Sequence, residues 1–485
     1  MDTPSATASR PLRRIEDLPG PRGLPWLGNL FQLKPRDSHR GVERWCRELG
    51  PMFVFRVPGL RIVVVADHAL ITQALRDRPE GWRRSSQLQV VAREMGLTPG
   101  LFGAEGEAWR HQRRMVMSGL DPGRVRAYLP AMWRVTHRLR RRWQRAAQEG
   151  RALDLQPELM RYTVDTVAGL AFGVDINTLE ADGVVIQQHL DRIFPALYRR
   201  VMSPLPYWRW FKLPADRALD RSVAEVQRCI AGFVHDARER LQADPARREQ
   251  PPNLLEAMIV AADEGQSGID DRLVSANVMT MLLAGEDTTA NTLAWLLHLL
   301  HRHPAALQRA HEEVRRVIGD TESPGPEQLA ALDFIDAAIQ EALRLKPVAP
   351  FTVIESLRDT RVGDLQVPAG TMLWCALRPD SLDERHFERA AEFEPERWLA
   401  SDGDALRAAR RVSMPFGAGP RICPGRYLAL TEMKLLLAML LSNFDLESVE
   451  APGGGEAEER MSFTMVPVGL RMQLRGRVQD PAVPA

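Results

Sequence analysis

One cysteine lies in a glycine-rich run directly before an apolar helix, and this run constrains the chain more than any other feature. Residues 416–425 read FGAGPRICPG, and the apolar residues 428–441 follow. The glycines permit a tight turn in which backbone N–H groups approach the Cys423 sulfur, and the following helix start favours a negative charge. A thiolate held in this way can bind haem iron from one side. Taken alone, Cys423 is more often a small buried hydrophobe.

A long apolar helix is predicted from Asp271 to His303, and polar residues interrupt its centre. Residues 284–289 read AGEDTT, and a glycine, two carboxylates and two β-branched alcohols all carry a cost in helix propensity. Something must offset that cost, so Asp287 and Thr288 are candidate functional residues. The structural alternative is a threonine that bonds back to a carbonyl, with the acids on the surface.

Two further pairs share helix faces. Trp109 and Arg113 are four residues apart, although a solvated amphipathic helix with a buried tryptophan explains that spacing equally well. Glu341 and Arg344 form an i, i+3 pair of a kind common on any helix. Arg397 follows them downstream in the run FEPERW. Neither pair alone decides a function.

Short strands are predicted around these helices. Residues 52–57 and 61–65 flank Pro58-Gly59 and indicate a hairpin that opens a small sheet. Residues 347–353, 360–370 and 371–376 indicate further strands joined by turns, and residues 461–474 alternate as a final hairpin would.

Together, these motifs resemble those of the cytochrome P-450 superfamily, the haem-thiolate monooxygenases. Residues 416–425 meet every fixed position of Phe-x-x-Gly-x-Arg-x-Cys-x-Gly, and the other motifs match in the family's order from residue 109 onward. The resemblance implies a mostly α fold with small β-sheets, the triangular haem-thiolate fold. It also implies haem b (iron protoporphyrin IX) with an axial cysteine thiolate as cofactor.

The resemblance assigns roles to individual residues. It implies that Cys423 is the metal ligand, that Thr288 and Asp287 are catalytic residues that deliver protons to dioxygen, and that the central helix opens locally at residues 284–289. The cofactor-binding residues that it implies are Cys423, Phe416, Gly417, Arg421, Gly425, Trp109, Arg113, Ala284 and Gly285. Those implied in a buried structural network are Glu341, Arg344 and Arg397. The residues expected to line a substrate pocket are Ala284, Ala349, Phe351 and residues 85–104, with Phe463 to Met465 closing it.

One departure from the family pattern affects the cofactor site. Many members carry an arginine just after the Glu-x-x-Arg helix that reaches a haem propionate. Ile354 takes its place here. The inventory of propionate contacts is therefore incomplete, whereas the iron ligation is unaffected.

Composition limits the remaining possibilities. The chain has 485 residues, of which 45% are hydrophobic, and a net charge of +1, which argues against a general nucleic-acid binder. Four widely spaced cysteines show no zinc or disulfide spacing and fit a reducing cytoplasm. Scarce lysine beside abundant arginine favours a bacterial source. We expect a flexible polar N-terminus without signal peptide or membrane anchor over residues 1–17, one haem-thiolate domain with a small β-rich N-terminal lobe over 18–475, and a flexible tail over 476–485.

The resemblance implies a monooxygenase that hydroxylates or epoxidises a lipophilic small molecule. Electrons are expected from NAD(P)H through a reductase and a ferredoxin or flavodoxin-type redox partner. An acidic partner is expected to dock on the cysteine side, at Arg110, Arg114, Arg421, Arg426 and Lys434. The alternatives are a peroxide-driven peroxygenase or isomerase, which often lacks the acid–alcohol pair, and a non-catalytic haem sensor.

Overall fold

The computed structural model describes residues 12–180, 185–264, 269–399 and 403–477, with backbone alone at residues 185–187 and 191. Within these ranges the chain is mostly helical and carries small sheets. The helices are α1 (Ser38–Leu49), α2 (His68–Arg76), α3 (Ser86–Glu94), α4 (Gly106–Gly119), α5 (Pro122–Ala127), α6 (Leu129–Gln148), α7 (Leu155–Phe172), α8 (Val185–Val201), α9 (Pro214–Ala243), α10 (Ala246–Glu249), α11 (Leu254–Glu264), α12 (Asp271–Arg302), α13 (Pro304–Ile318), α14 (Pro326–Ala330), α15 (Asp333–Leu345), α16 (Arg378–Ser381), α17 (Gly403–Val412) and α18 (Arg426–Asn443). Among these helices, none is both long and apolar enough to cross a membrane.

The strands form a five-stranded sheet and three smaller ones. They are β1 (Met52–Val57), β2 (Leu60–Val65), β3 (Trp82–Arg84), β4 (Leu153–Asp154), β5 (Phe351–Ser356), β6 (Thr360–Val362), β7 (Leu365–Val367), β8 (Met372–Ala376), β9 (Phe444–Glu450), β10 (Glu459–Ser462), β11 (Thr464–Pro467) and β12 (Arg471–Gly476). The large sheet has the order β1-β2-β8-β5-β3, with β8 parallel to β2. The smaller sheets are β4-β12-β9, β6-β7 and β10-β11.

Helix α12 forms the centre of the helical body. It begins where the Asp270 side chain accepts a hydrogen bond from the Leu273 N–H at 2.9 Å, a normal N-terminal cap. It packs most extensively along α7. A Cβ at Gly285 would lie 2.8 Å from Val167 Cγ2 of α7, so this close crossing requires glycine. The helix predicted from Asp271 to His303 is confirmed.

The large sheet lies between two apolar clusters. Val63 and Val65 of β2 belong to the cluster on one face, while Val64 and Phe53 belong to the cluster on the other. Successive side chains of a strand point to opposite faces, so the unbroken apolar run of residues 62–65 in β2 indicates burial on both faces. The predicted hairpin of residues 52–57 and 61–65 is therefore confirmed, with Met52 opposite Val65.

Two strand predictions need correction. The segment predicted as a strand from residue 347 becomes one only at Phe351, because Pro347 and Pro350 have no N–H to donate to a sheet. The predicted final hairpin of residues 461–474 is divided: β10 and β11 pair with each other, whereas β12 pairs with β9 and β4. Alternation predicts strands but does not specify their partners.

The N-terminal boundary also needs correction, because Arg13 is bound to the β6–β7 hairpin. Its N–H donates to the Asp364 carbonyl at 2.8 Å, its carbonyl accepts from the Gln366 N–H at 2.9 Å, and its guanidinium pairs with the Asp364 carboxylate. Residues 13–17, predicted to be flexible, are thus part of the folded body. Residues 1–11 of that prediction and residues 478–485 of the predicted tail lie outside the described residues.

Candidate functional site

The Cys423 loop leads into α18 and presents the sulfur at the start of that helix. The Cys423 N–H donates to the Phe416 carbonyl at 2.9 Å, which closes the turn. Gly417 and Gly419 have φ angles of 74° and 71°, in the left-handed region. A Cβ at Gly419 would lie 2.4 Å from the Leu75 carbonyl oxygen of α2, so the loop approaches that backbone closely.

Opposing influences act on the Cys423 thiol. Crowding by protein atoms raises its pKa overall, while hydrogen bonds from the Gly425 and Arg426 backbone N–H groups and the charges of Arg113 and Arg426 oppose that rise. A metal ion at the sulfur displaces the thiol proton. Although protein atoms surround Cys423, its surface is still accessible, whereas Cys375 is buried and its pKa is raised to about 12 by that burial. Cys423 is thus the better placed of the two for a ligand.

An aromatic ring and two arginines converge beside the loop. Trp109 and Arg113 both belong to α4, and the Arg421 guanidinium lies 5.1 Å from the Trp109 ring centroid. Arg421 also pairs with Glu105 and donates to the Ala104 carbonyl at 2.6 Å. The structure therefore brings together the three residues predicted to bind propionates, and it gives Arg421 a carboxylate partner within the protein.

Two further arginines, which the motifs did not indicate, enlarge this cluster. Arg78 is 4% exposed, and its Nε and one terminal nitrogen have no hydrogen-bond partner; the nearest oxygen of Glu105 is 4.0 Å away. The Arg84 Nε is also buried without a partner. Burial, followed by repulsion from Arg421, lowers the pKa of Arg78 to about 10. Burial and the charges of Arg78 and Arg421 lower the pKa of Arg84 as well.

Such a cluster fits a dianionic cofactor. A buried guanidinium without a partner is costly, and Glu105 alone cannot balance Arg78, Arg84, Arg113 and Arg421. Haem carries two propionate carboxylates, which are the bidentate acceptors that arginine favours. The unpartnered nitrogens beside a cysteine loop thus match the haem that the motifs imply.

Arg84 occupies the strand position that is paired with Ile354. Strands β3 and β5 are antiparallel, and Arg84 is directly opposite Ile354. Directly opposed side chains leave a sheet on the same face, so Arg84 extends from the face on which an arginine at position 354 would lie. The neighbouring Arg83 pairs instead with Glu355. A strand that carries two successive arginines was the only sequence signal for this cation.

On α12 the predicted catalytic residues lie within one turn of the exposed residue Ala284. Ala284 is exposed although Leu282 and Leu283 are buried. The Thr288 hydroxyl donates to the Ala284 carbonyl at 2.7 Å. The expected local opening of the helix is absent, because α12 is continuous and threonine bonds back one turn as in the structural alternative.

Asp287 is held by two side chains. Asn291 Nδ2 donates to Asp287 Oδ1 at 2.8 Å, and the Thr464 hydroxyl donates to Asp287 Oδ2. Burial raises the pKa of Asp287, while these two hydrogen bonds lower it. The acid is therefore not a surface residue, contrary to the structural alternative. Asn291 lies one turn further along α12, a spacing that could have indicated the contact, whereas Thr464 comes from β11, far along the chain.

The Glu341 carboxylate joins α15 to the segment that leads toward the cysteine loop. It accepts two hydrogen bonds from Arg344 at 2.8 Å, one from Arg397 at 2.9 Å and one from the Trp398 indole at 2.8 Å. The Glu394 N–H adds another at 3.0 Å. Both Glu341 and Arg344 side chains are fully buried. The three predicted network residues are thus in contact, with Trp398 as an additional member.

The predicted substrate-lining residues differ in how exposed they are. Ala349 is exposed between buried Val348 and Pro350, as expected of a residue that faces an open space. Phe351 lies against Trp374, with ring centroids 4.3 Å apart, and is only partly buried. Their contact with substrate stays a prediction.

The predicted docking face needs correction. Arg110 pairs with both Glu80 and Glu107, Lys434 pairs with Asp336 at 3.2 Å, and the Arg421 side chain is 3% exposed. Ion pairing with nearby acids, the alternative considered for such a cluster, explains these three cations. The remaining exposed members of the predicted face are Arg114 and Arg426.

Comparisons with known proteins identify the family. A family model described as cytochrome P-450 matches residues 18–474. The chain is 27% identical over 470 residues to a self-sufficient cytochrome P-450 monooxygenase of Aspergillus kawachii, covering 95% of this chain but 43% of that protein. It is 29% identical over 450 residues to cyclooctat-9-en-7-ol 5-monooxygenase of Streptomyces melanosporofaciens, covering 92% and 93%. It is also 25% identical over 435 residues to the chloroplastic protein LUTEIN DEFICIENT 5 of Arabidopsis thaliana, covering 87% and 71%.

This chain thus spans less than half of the self-sufficient relative and nearly all of the Streptomyces one. The family match confirms the predicted fold class of a mostly α chain with small sheets. Since the match covers nearly every residue of the described body, the chain belongs to the cytochrome P-450 family.

Proposed function

We propose that the protein is a monooxygenase that inserts one atom of dioxygen into a lipophilic small molecule, by hydroxylation or epoxidation, with electrons from NAD(P)H. The observation that carries this proposal is the adjacent pair Asp287 and Thr288, an acid held in the protein beside an alcohol on the exposed stretch of α12. Oxygen activation requires delivered protons, whereas a haem sensor does not need them.

Haem is the cofactor that fits, and when bound it supplies the activation of dioxygen. Cys423 would supply the thiolate that holds the iron, with Phe416, Gly417 and Gly425 shaping its loop. Trp109 and the guanidinium groups of Arg78, Arg84 and Arg113 are proposed to bind the propionates. Arg421 would share its charge between a propionate and Glu105, with which it already pairs.

Asp287 and Thr288 are proposed to form the proton path. Burial favours the protonated form of Asp287, so this carboxyl can hold a proton at the edge of the pocket. The Thr288 hydroxyl needs only to rotate away from the Ala284 carbonyl to donate into the pocket. Ala284 and Gly285 leave space there because they have almost no side chain.

The substrate is proposed to be lipophilic because the residues near the pocket are apolar or small. Ala284, Ala349 and Phe351 remain the proposed contacts, and the Phe463 ring adds an aromatic surface. The name of the Streptomyces relative gives that protein an alcohol, cyclooctat-9-en-7-ol, as substrate. A terpenoid alcohol is therefore a sensible first probe, alongside fatty acids and steroids.

Electrons are proposed to arrive through a ferredoxin or flavodoxin-type protein and its reductase, in the cytoplasm. The self-sufficient relatives match this chain over 43% or less of their own length, so the matched part carries the haem region. Arg114 and Arg426, exposed near the cysteine loop, are the proposed contacts for an acidic partner.

The proposal is tested with purified haem-loaded protein, a surrogate ferredoxin, its reductase and NADPH. Compounds that shift the Soret band are first selected from a lipophilic library, and their products are then measured. Oxygenated product that requires NADPH and dioxygen supports the proposal. Product formed equally well with peroxide alone indicates a peroxygenase, and no product from any binding compound indicates a sensor.

A further inference from the structure

The hairpin of β10 and β11 carries Phe463 and Thr464, two consecutive residues with different contacts in the site. Ser462 and Thr464 are paired in register, and Phe463 alone forms the tip. The hairpin is fixed just beyond the tip, where the Met465 N–H donates to the Val348 carbonyl at 2.8 Å and its carbonyl accepts from the Trp295 indole at 3.2 Å. These bonds join the hairpin to α12 and to the chain before β5, so the tip has a defined position.

Phe463 adopts a backbone conformation that phenylalanine rarely takes. Its φ angle is 84°, and a bulky residue in the left-handed region is under local strain. Its ring stacks on Phe194 of α8, with centroids 4.3 Å apart and planes 5° apart, and lies 5.9 Å from Phe102. Three separate segments therefore meet at this ring, in the region predicted to close the pocket.

Thr464, the next residue, is hydrogen-bonded to Asp287 of the proposed proton path. The Thr464 side chain is buried, and its hydroxyl donates to the Asp287 carboxylate on α12. Asn291 donates to the other oxygen of the same carboxylate. Because Phe463 and Thr464 are consecutive at a one-residue tip, a shift of the Phe463 ring that rotates the backbone also shifts the Thr464 hydroxyl.

We propose that Thr464 is a positioning residue whose hydrogen bond fixes the orientation of the Asp287 carboxyl. Phe463 couples that hydrogen bond to the substrate, because a substrate that contacts its ring shifts the adjacent Thr464. This inference rests on the proposed function, since it names a control on proton delivery. When the Thr464 hydroxyl is in place, Asp287 presents its proton toward Thr288. When the hydrogen bond from Thr464 is lost, the Asp287 carboxyl can rotate, and fewer protons reach Thr288.

The first test removes the hydroxyl. Thr464→Val keeps the shape of the side chain, and we expect product formed per NADPH to fall about tenfold, the effect of losing one hydrogen bond to a carboxylate, while peroxide rises. Thr464→Ser restores the hydroxyl and is expected to restore the ratio. Ser462→Ala, which removes a hydroxyl from the opposite side of the same tip, is the matched control and should leave the ratio unchanged.

A second readout does not depend on turnover. If Thr464 acts through Asp287, its loss should matter only while Asp287 is present. The melting temperature of the haem-loaded protein should therefore fall in Thr464→Val and in Asp287→Ala, and the double variant should fall no further than the lower single one. Additive decreases would show that the two side chains are not coupled and would overturn the proposal.

The role of Phe463 is tested with glycine, which accepts a φ angle of 84° without strain. Phe463→Gly therefore keeps the turn but removes the ring. Product per NADPH should fall, and adding Thr464→Val to this variant should lower it no further. If the double variant instead shows the product of the two single losses in product per NADPH, the two residues act independently and Phe463 has no part in the proposal.

These outcomes separate the inference from the proposed function. If the wild-type protein yields no oxygenated product, the proposed function fails, while the melting measurements still report on the contact of Thr464 with Asp287. If the wild-type protein turns over and Thr464→Val keeps its product ratio, only the inference fails.

Discussion

Arg84 offers the sharpest test of the cofactor site, because its charge should have opposite effects before and after haem binds. Without haem, its buried Nε lacks a partner. With haem, a propionate can accept that hydrogen bond. Arg84→Met keeps most of the side-chain length but removes the charge. We therefore expect the haem-free protein to become more stable and the haem-loaded protein to hold its cofactor less tightly.

The size of the effect follows from one hydrogen bond to a charged group. Such a bond contributes about 1.5–3 kcal/mol, which corresponds to about a 10- to 150-fold change in the dissociation constant. The assay follows the Soret band while haem transfers to an excess of a haem-scavenging protein. Unfolding in urea, measured before and after haem is removed, gives the two stabilities.

The neighbouring residue and the opposite strand provide controls. Arg83→Met is the same change one position away, but Arg83 pairs with Glu355, so it should lower stability without accelerating haem loss. Adding Ile354→Arg to Arg84→Met returns a guanidinium to the paired position of the adjacent strand and should recover part of the affinity. If Arg84→Met loses haem at the wild-type rate, or if Arg83→Met loses it equally fast, the assignment of Arg84 is refuted.

Four other outcomes are expected. Cys423→His should move the absorption of the reduced carbon monoxide adduct from the thiolate to the imidazole position, and an unchanged spectrum contradicts the ligand. Thr288→Ala should raise peroxide and lower product per NADPH, since reduction continues without directed protons; a wild-type ratio rules out the relay. Glu341→Ala should leave Arg344 buried and unpaired, at a cost of about 3–5 kcal/mol, so the protein should be poorly folded or free of haem, and full haem content argues against a structural role. Arg114→Glu should slow reduction by a surrogate ferredoxin at low salt, with wild-type protein slowing as salt rises; reduction that ignores both changes excludes this docking site.

The sequence was sufficient for features that depend on local spacing. The cysteine loop, α12 and the Glu341 pair each lie within one short run, where residue type and helix or turn geometry decide the arrangement. The family fold followed from the order of those runs. The first hairpin was also predictable, because each strand contains four successive apolar residues, 52–55 and 62–65, and a Pro-Gly turn lies between the strands.

The features that were missed depend on contacts between distant segments. Thr464 and Asp287 are 177 positions apart, and no periodicity in either segment signals the other. The proposed role of Arg84 in place of an arginine at position 354 depends on the pairing of β3 with β5, which a single sequence does not reveal. The helix opening was expected from the family resemblance, whereas α12 is continuous and back-bonding by Thr288 and the side-chain hydrogen bonds of Asp287 offset the propensity cost.

The close approach of Gly419 to the Leu75 carbonyl has a consequence for biogenesis. The cysteine loop and α2 are more than 300 residues apart in the chain, so this contact forms only after both segments have been synthesised and brought together. Long-range closure of this kind is slow compared with helix formation. We therefore expect haem to be captured late in maturation, and we expect chains interrupted between the two segments to accumulate without haem even when their helices are formed.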